Sequence, residues 1–166
     1  MCAALYSVYV NEFKLLNSNL AMRIISWNIN YVRARLIRLL DVLRRHQPDI
    51  VCLQETKVDN SHVSIMELRA AGYGSITYGK KGYNRVAIPY RDPTKKLGLF
   101  TQDETGLNII HGIIPINVQK DFTGNPLPNE ARIISACFGN FRLVNLYVVN
   151  GVDIQSEQFK IKQTLM

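Results

Sequence analysis

Cysteine is scarce in this sequence. There are three in 166 residues, Cys2, Cys52 and Cys137, far apart and with no Cys-x-x-Cys pair. That spacing argues against a zinc cluster and against a disulfide framework. Cys52 and Cys137 sit inside apolar runs and read as small buried thiols, which fits a reducing compartment. Histidine is equally rare, with only His46, His62 and His111. No apolar run approaches the ~18 residues that a membrane span needs. Residues 1–21 are mildly apolar, contain Glu12 and Lys14, and lack the basic start of a secretory signal. Acidic side chains are also in deficit, 13 against 20 Lys and Arg, for a net charge of +7. Such a balance favours polyanionic partners (nucleic acid, anionic membrane or phosphorylated substrates) without choosing among them.

What is present supports one domain with a real core. Met22 directly follows the first 21 residues, so 1–21 are expected to be an extension that adds little to the core, ahead of a domain over 22–166. Arg23 to Asn30 reads as a strand. Val32, Leu36, Leu39, Leu40 and Leu43 then recur at helical spacing, and Pro48 stops that helix near His46 and Gln47. Asp49 to Glu55 is nearly all apolar, as in a strand buried on both faces. A helix is expected over 61–71, capped by Asn60 or Ser61 and closed by Gly72. Ser75–Tyr78 and Tyr83–Ile88 read as strands of a hairpin, and Pro89, Asp92, Pro93 and Gly98 break the pattern. Residues 89–130 read as loop-rich. Arg132–Phe138 and Phe141–Val148 form a second hairpin, with Gly139 first in a two-residue type II′ loop. A helix begins near Ser156. The order β-α-β-α and then mostly β predicts a mixed α/β domain with helices covering a sheet.

Three strands turn polar at their ends: Asn28 and Asn30, Gln54 and Glu55, and Asn145, Tyr147 and Asn150. Ligand sites in α/β folds gather at such carboxyl ends. A carboxylate among amides suits Mg²⁺, which takes oxygen ligands, keeps several waters and uses one or two carboxylates. Arg33 and Lys57 flank two of these strand ends, as a phosphate site would want. From the residues alone, Glu55 equally suits a solvated loop, Asn28 and Asn30 a turn, and Tyr147 packing at a rim.

The wider pattern is more specific. Ser26-Trp-Asn-Ile-Asn30 with Val32-Arg-Ala-Arg35 resembles the opening of the exonuclease III-type apurinic/apyrimidinic (AP) endonucleases, in the endonuclease/exonuclease/phosphatase superfamily. The resemblance continues in Arg45-His-Gln-Pro-Asp-Ile-Val-Cys-Leu-Gln-Glu-Thr-Lys57, in Leu68-Arg-Ala-Ala-Gly-Tyr73 and in Lys81-Gly-Tyr-Asn84. It resumes in Arg132-Ile-Ile-Ser-Ala136 and Val144-Asn-Leu-Tyr147 with Asn150. It implies the N-terminal half of a four-layer α/β sandwich, two packed mixed β-sheets flanked by helices. It implies Mg²⁺ (Mn²⁺ as a substitute) held by Glu55 beside Asn28, with Asn30 close by. Tyr147 and Asn150 would be the catalytic residues at the phosphate, and Arg33, Lys57, Tyr83 and Asn84 would lie along the DNA backbone. The implied reaction is hydrolysis of a phosphodiester 5′ to an abasic site, with related action at 3′ ends. The implied partner is double-stranded DNA, with no membrane and no obligate protein partner, and the implied setting is cytoplasmic, at the nucleoid.

The sequence also departs from this family. Tyr31 stands where glycine usually follows Asn30, Arg85 where glycine follows Gly-Tyr-Asn, and Val149 where proline precedes Asn150. The Asp-x-Asn and Ser-Asp-His runs of the family's second half are not among the 166 residues. The expectation is a chain lacking its C-terminal half, severely impaired as an enzyme. Two alternatives stand beside the nuclease: an inactive remnant with at most weak DNA binding, and a phosphatase acting on small phosphate esters. The Lys81–Asn84 and Leu68–Tyr73 runs favour the DNA-repair branch over the phosphatase.

Overall fold

Alternation and helical spacing decide most of the elements, and packing decides the rest. The computed structural model describes residues 8–14, 21–57, 62–79, 85–94, 113–125, 130–148 and 153–165. In chain order these give β1 (Val8–Lys14), β2 (Ala21–Asn28), a single 3₁₀ turn (Arg33–Arg35), α1 (Leu36–His46), β3 (Ile50–Gln54) and α2 (His62–Ala70). There follow β4 (Tyr73–Gly79), β5 (Arg85–Arg91), β6 (Ile116–Lys120), β7 (Ile133–Phe138), β8 (Phe141–Leu146) and α3 (Glu157–Leu165).

Two sheets result. The larger has the order β1-β2-β3-β5-β4 and is mixed: β2 and β3 are parallel, and the other pairs antiparallel. The smaller, β6-β7-β8, is antiparallel throughout its described strands. Period-two alternation splits β2 between two cores. Ile25, Trp27 and Ile29 face α1 and pack with Leu39 and Leu43, whereas Met22 and Ile24 face the smaller sheet. Ile134, Ala136 and Phe138 of β7 close the inter-sheet core, and Phe138 stacks on Phe141. All five residues of β3 are buried, as its apolar run requires for a strand covered on both faces.

The ends of the elements follow local chemistry. Gln47 leaves α1 in the left-handed region at φ +42° and donates its N–H to the Leu43 carbonyl, 3.0 Å away. Gly72 does the same after α2 at φ +83°, a conformation glycine adopts without a Cβ clash. Gly139 opens the β7–β8 loop at φ +60°, with Phe138 opposite Phe141. The first turn expected at Val32 is 3₁₀ and not α, and the caps expected at Asn60 and Ser61 lie outside the described residues. Burial pushes the Cys52 thiol up to about 12, whereas Cys137, expected to be buried, is only partly covered.

Two expectations change. Pro89 lies inside β5, opposite Ser75, where a break was expected. The strand tolerates it because β5 pairs with β3 only at Ile50–Tyr90 and Leu53–Ala87, on either side of the proline. The loop-rich region 89–130 contains β6, whose five residues are all exposed and so carry no burial pattern for a sequence to reveal. Within the expected extension, Val8–Lys14 pairs with β2 along seven residues and forms an edge strand. Deleting residues 1–21 would uncover the outer backbone edge of β2, a template for another chain. The truncated protein should therefore melt at a lower temperature and self-associate with rising concentration in sedimentation velocity. An unchanged melting temperature and a monomer throughout would show β1 to be dispensable.

Candidate active site

The parallel pairing of β2 with β3 puts Asn28 opposite Gln54, so the two strands finish side by side. Beyond them the chains stay tied. Ile29, Tyr31 and Val32 donate their N–H groups to the carbonyls of Gln54, Glu55 and Thr56 at 3.0, 2.8 and 3.1 Å. Four residues in these two loops lie in the left-handed region: Asn30 at φ +40°, Tyr31 at +80°, Glu55 at +53° and Lys57 at +46°. Such backbone costs roughly 1–3 kcal/mol per residue away from glycine and asparagine, and it persists where the surroundings dictate it.

The loops converge on one carboxylate. Glu55 is 9% exposed. Asn28 Nδ2 donates to its Oε1 at 2.8 Å, and Lys57 Nζ lies 2.9 Å from its Oε2. Lys57 Nζ also donates to Asn30 Oδ1 at 2.7 Å, and Asn28 Oδ1 accepts from the Asn30 N–H at 3.2 Å. Arg35 holds the far side of the loop through the Asn30 carbonyl, 2.6 Å away. Burial alone would push the Glu55 carboxyl up. Hydrogen bonds from Asn28, Tyr147 and Lys57, with the charge of Lys57, outweigh it and leave the group below its ordinary value.

Tyr147 reaches this carboxylate from the other sheet, one residue beyond β8. Burial first, and then the neighbouring Glu55 charge, push its phenol up to about 12. It therefore remains a hydrogen-bond donor at neutral pH. Its main chain is held by the Arg132 carbonyl, 2.8 Å from the Tyr147 nitrogen. The Arg132 guanidinium lies 4.7 Å from the centre of its ring, a cation–π contact. Arg132 is buried and also pairs with Glu130. In the sequence it opens a strand and a family-like run, and neither assigns it a place at the cluster.

Gln54 and Asn145 were expected among the polar strand ends, but they turn inward. Asn145, 1% exposed, donates through Nδ2 to the carbonyls of Leu53 at 3.0 Å and Ala87 at 2.9 Å. Its Oδ1 accepts from Gln54 Nε2 at 2.7 Å, which also reaches Ser26 Oγ at 3.3 Å. These amides lock the two sheets together behind the site and do not line it.

Of the residues singled out in the sequence, Asn28, Asn30, Glu55, Lys57 and Tyr147 come together. Arg33 stands exposed in the 3₁₀ turn. Tyr83, Asn84 and Asn150 lie outside the described residues. Among the described residues no three His, Cys, Asp or Glu side chains gather, so a cation here would meet one carboxylate, amide oxygens and water. That donor set fits Mg²⁺ or Mn²⁺ and not zinc. The Lys57 ammonium against Oε2 marks where positive charge is accepted.

The depressed acidity of Glu55 has a measurable consequence. A carboxyl whose folded value lies below its unfolded value stabilises the fold above the unfolded value, about 4.3. That contribution is lost as pH falls through the folded value. Urea titrations from pH 7 downward should therefore lose stability more steeply in the native chain than in Glu55→Gln. Parallel losses in the two proteins would place the acid sensitivity elsewhere.

A mixed two-sheet α/β sandwich with a carboxylate, amides and a tyrosine at its strand ends defines the class. Residues 25–149 match the endonuclease/exonuclease/phosphatase family, and the chain belongs to that family. It is 30% identical over 131 residues to an exodeoxyribonuclease of Bacillus subtilis, covering 78% of this chain and 43% of the relative. It is 31% identical over 134 residues to the DNA repair nuclease APEX1 of Danio rerio, covering 78% of this chain and 36% of that protein. Among solved structures, the Neisseria 3′ phosphatase NExo, bound to a product DNA hairpin, superposes with a TM-score of 0.68 at 29% identity. An AP endonuclease from Archaeoglobus fulgidus gives 0.67 at 28%. The superpositions cover 86% and 87% of this chain and 48% of each structure, so the chain spans about half the length of the proteins it matches.

Proposed function

We propose that this chain carries the Glu55-centred part of a divalent-metal-dependent DNA-repair nuclease, one that hydrolyses phosphodiesters at abasic sites or 3′ ends. The supporting observation is the convergence of an ionised Glu55 from one sheet and a protonated Tyr147 from the other, beside the Lys57 ammonium. The names of the relatives and the net charge of +7 point the same way.

Glu55 would hold Mg²⁺, or Mn²⁺ in its place, with Asn28 alongside. A bound divalent ion supplies charge stabilisation at a phosphoryl oxygen. Asn28 fixes the rotamer of Glu55 and keeps its carboxylate aimed at the strand ends. Lys57 balances the carboxylate and adds positive charge where a phosphate would approach. Tyr147, unable to ionise near neutral pH, donates a hydrogen bond, and the Arg132 stack holds its ring in place. Asn150 belongs at the phosphate by resemblance, and Arg33, Tyr83 and Asn84 along the DNA backbone.

A second reading is a non-catalytic DNA-binding protein, favoured by the net charge of +7 together with a cluster that, among the described residues, gathers no three His, Cys, Asp or Glu side chains. A gel assay on a synthetic abasic duplex with Mg²⁺, run beside Glu55→Gln, separates the two. The nuclease reading expects cleavage that requires both Mg²⁺ and Glu55. Salt-sensitive binding with no Glu55-dependent cleavage supports the second, and neither binding nor cleavage overturns both.

A further inference from the structure

Tyr31 combines three properties that do not occur together in the other described residues of the cluster. It is aromatic, the residue is 41% exposed, and its backbone is held at φ +80°. For a bulky side chain this is a true outlier, where glycine would relax the chain. The strain is imposed by the site: the Tyr31 N–H is tied to the Glu55 carbonyl at 2.8 Å, and the next residue to Thr56 at 3.1 Å. Cations follow it along the chain and hold its neighbour Asn30. Arg33 is exposed two residues on, Arg35 binds the carbonyl of Asn30, and the Lys57 side chain, 40% exposed, holds the Asn30 amide. An exposed ring on a rigid, strained loop among basic residues is the arrangement by which proteins hold unstacked nucleobases.

We infer that Tyr31 is a base-stacking subsite, whose ring receives a nucleobase left without a stacking partner beside the scissile phosphate. The inference rests on the proposed DNA-repair reading and adds to it a determinant for substrates with a missing or unpaired base. An intact duplex offers no free base face, so the ring should contribute little to its binding. A gap or abasic position frees such a face and gains the contact. Strain and stacking have opposite signs on substitution, which makes the inference separable from a merely tolerated tyrosine.

The test is fluorescence anisotropy without divalent metal at low salt, using a duplex with a tetrahydrofuran abasic analogue and its intact counterpart. Thermal melting is measured alongside. Tyr31→Gly should melt higher than the native chain yet bind the abasic duplex about tenfold more weakly, with little change on intact duplex. Tyr31→Phe should match the native chain in melting and binding. Tyr31→Leu keeps the strain and removes the π face. It should lose affinity as glycine does, and it carries the test if the glycine variant fails to fold. A 2-aminopurine beside the lesion should be quenched by the native and Phe proteins only. Native affinity and quenching in both the Gly and Leu variants would overturn the subsite while leaving the DNA-repair reading intact. No binding of either duplex by the native chain would overturn both.

Discussion

Given Mg²⁺ and an abasic duplex, the 166-residue chain should cleave at least roughly a thousandfold more slowly than the Bacillus subtilis exodeoxyribonuclease under the same conditions. Hydrolysis needs a water held in line with the leaving oxygen and a group that takes its proton. Positioned acid–base groups contribute about 10²–10⁴ in rate, and alignment contributes more. Among the described residues, the cluster around Glu55 supplies neither. Tyr147, with its phenol at about 12, is no base at neutral pH. Lys57 is engaged by Glu55 and Asn30. His46 is also misplaced. Its carbonyl accepts from Arg23 at the start of β2, whereas Asn28 stands at the other end of that strand. Single-turnover gel kinetics measure the difference. A rate within tenfold of the relative, abolished by Glu55→Gln, would show that another group of this chain aligns the water.

Asn145→Ala should cost about 3–4 kcal/mol and lower the melting temperature by about 10 °C. The truncation leaves two backbone carbonyls and the Gln54 amide without their partner in a buried place. Each such loss costs roughly 1–3 kcal/mol. For a domain of this size each kcal/mol is worth about 2–4 °C. Asn145→Asp should be worse, since a carboxylate would face the carbonyls of Leu53 and Ala87. Gln119→Ala, on exposed β6, should change stability by less than about 0.5 kcal/mol. Urea denaturation of the three proteins measures this. A cost below about 1 kcal/mol for Asn145→Ala would mean that the sheets dock without the amide lock.

Much of this was written in the chain. The helical recurrence of Leu36, Leu39, Leu40 and Leu43 and the unbroken apolar run of β3 each map onto elements with those burial patterns. So does the two-faced β2, whereas β7, read as a strand, is buried along nearly its whole length. What stayed hidden has identifiable causes. β6 has no buried side. β1 lies in a segment that reads as a mere lead-in, and the backbone of β2 gives it a place. Pro89 survives in β5 because the ladder skips it. At the candidate site, the polar strand ends left Glu55, Asn28 and Tyr147 open between a site and ordinary surface roles, the family resemblance singled them out, and the fold brings them together. The inward turn of Gln54 and Asn145, the stacking of Arg132 and the left-handed backbone of Tyr31 are consequences of three-dimensional closure, and spacing along the chain does not encode them.

The Glu55 carboxylate and the Tyr147 phenol come from different sheets, and their meeting makes the site a gauge of how well those sheets are seated. A substitution deep in the inter-sheet core, such as Phe138→Ala, lies in neither loop yet would let the smaller sheet shift and part the pair. The phenol would then titrate nearer its ordinary value. Ultraviolet absorbance of the tyrosinate would register that loosening before the helices melt. In this architecture damage to the interior is felt at the site.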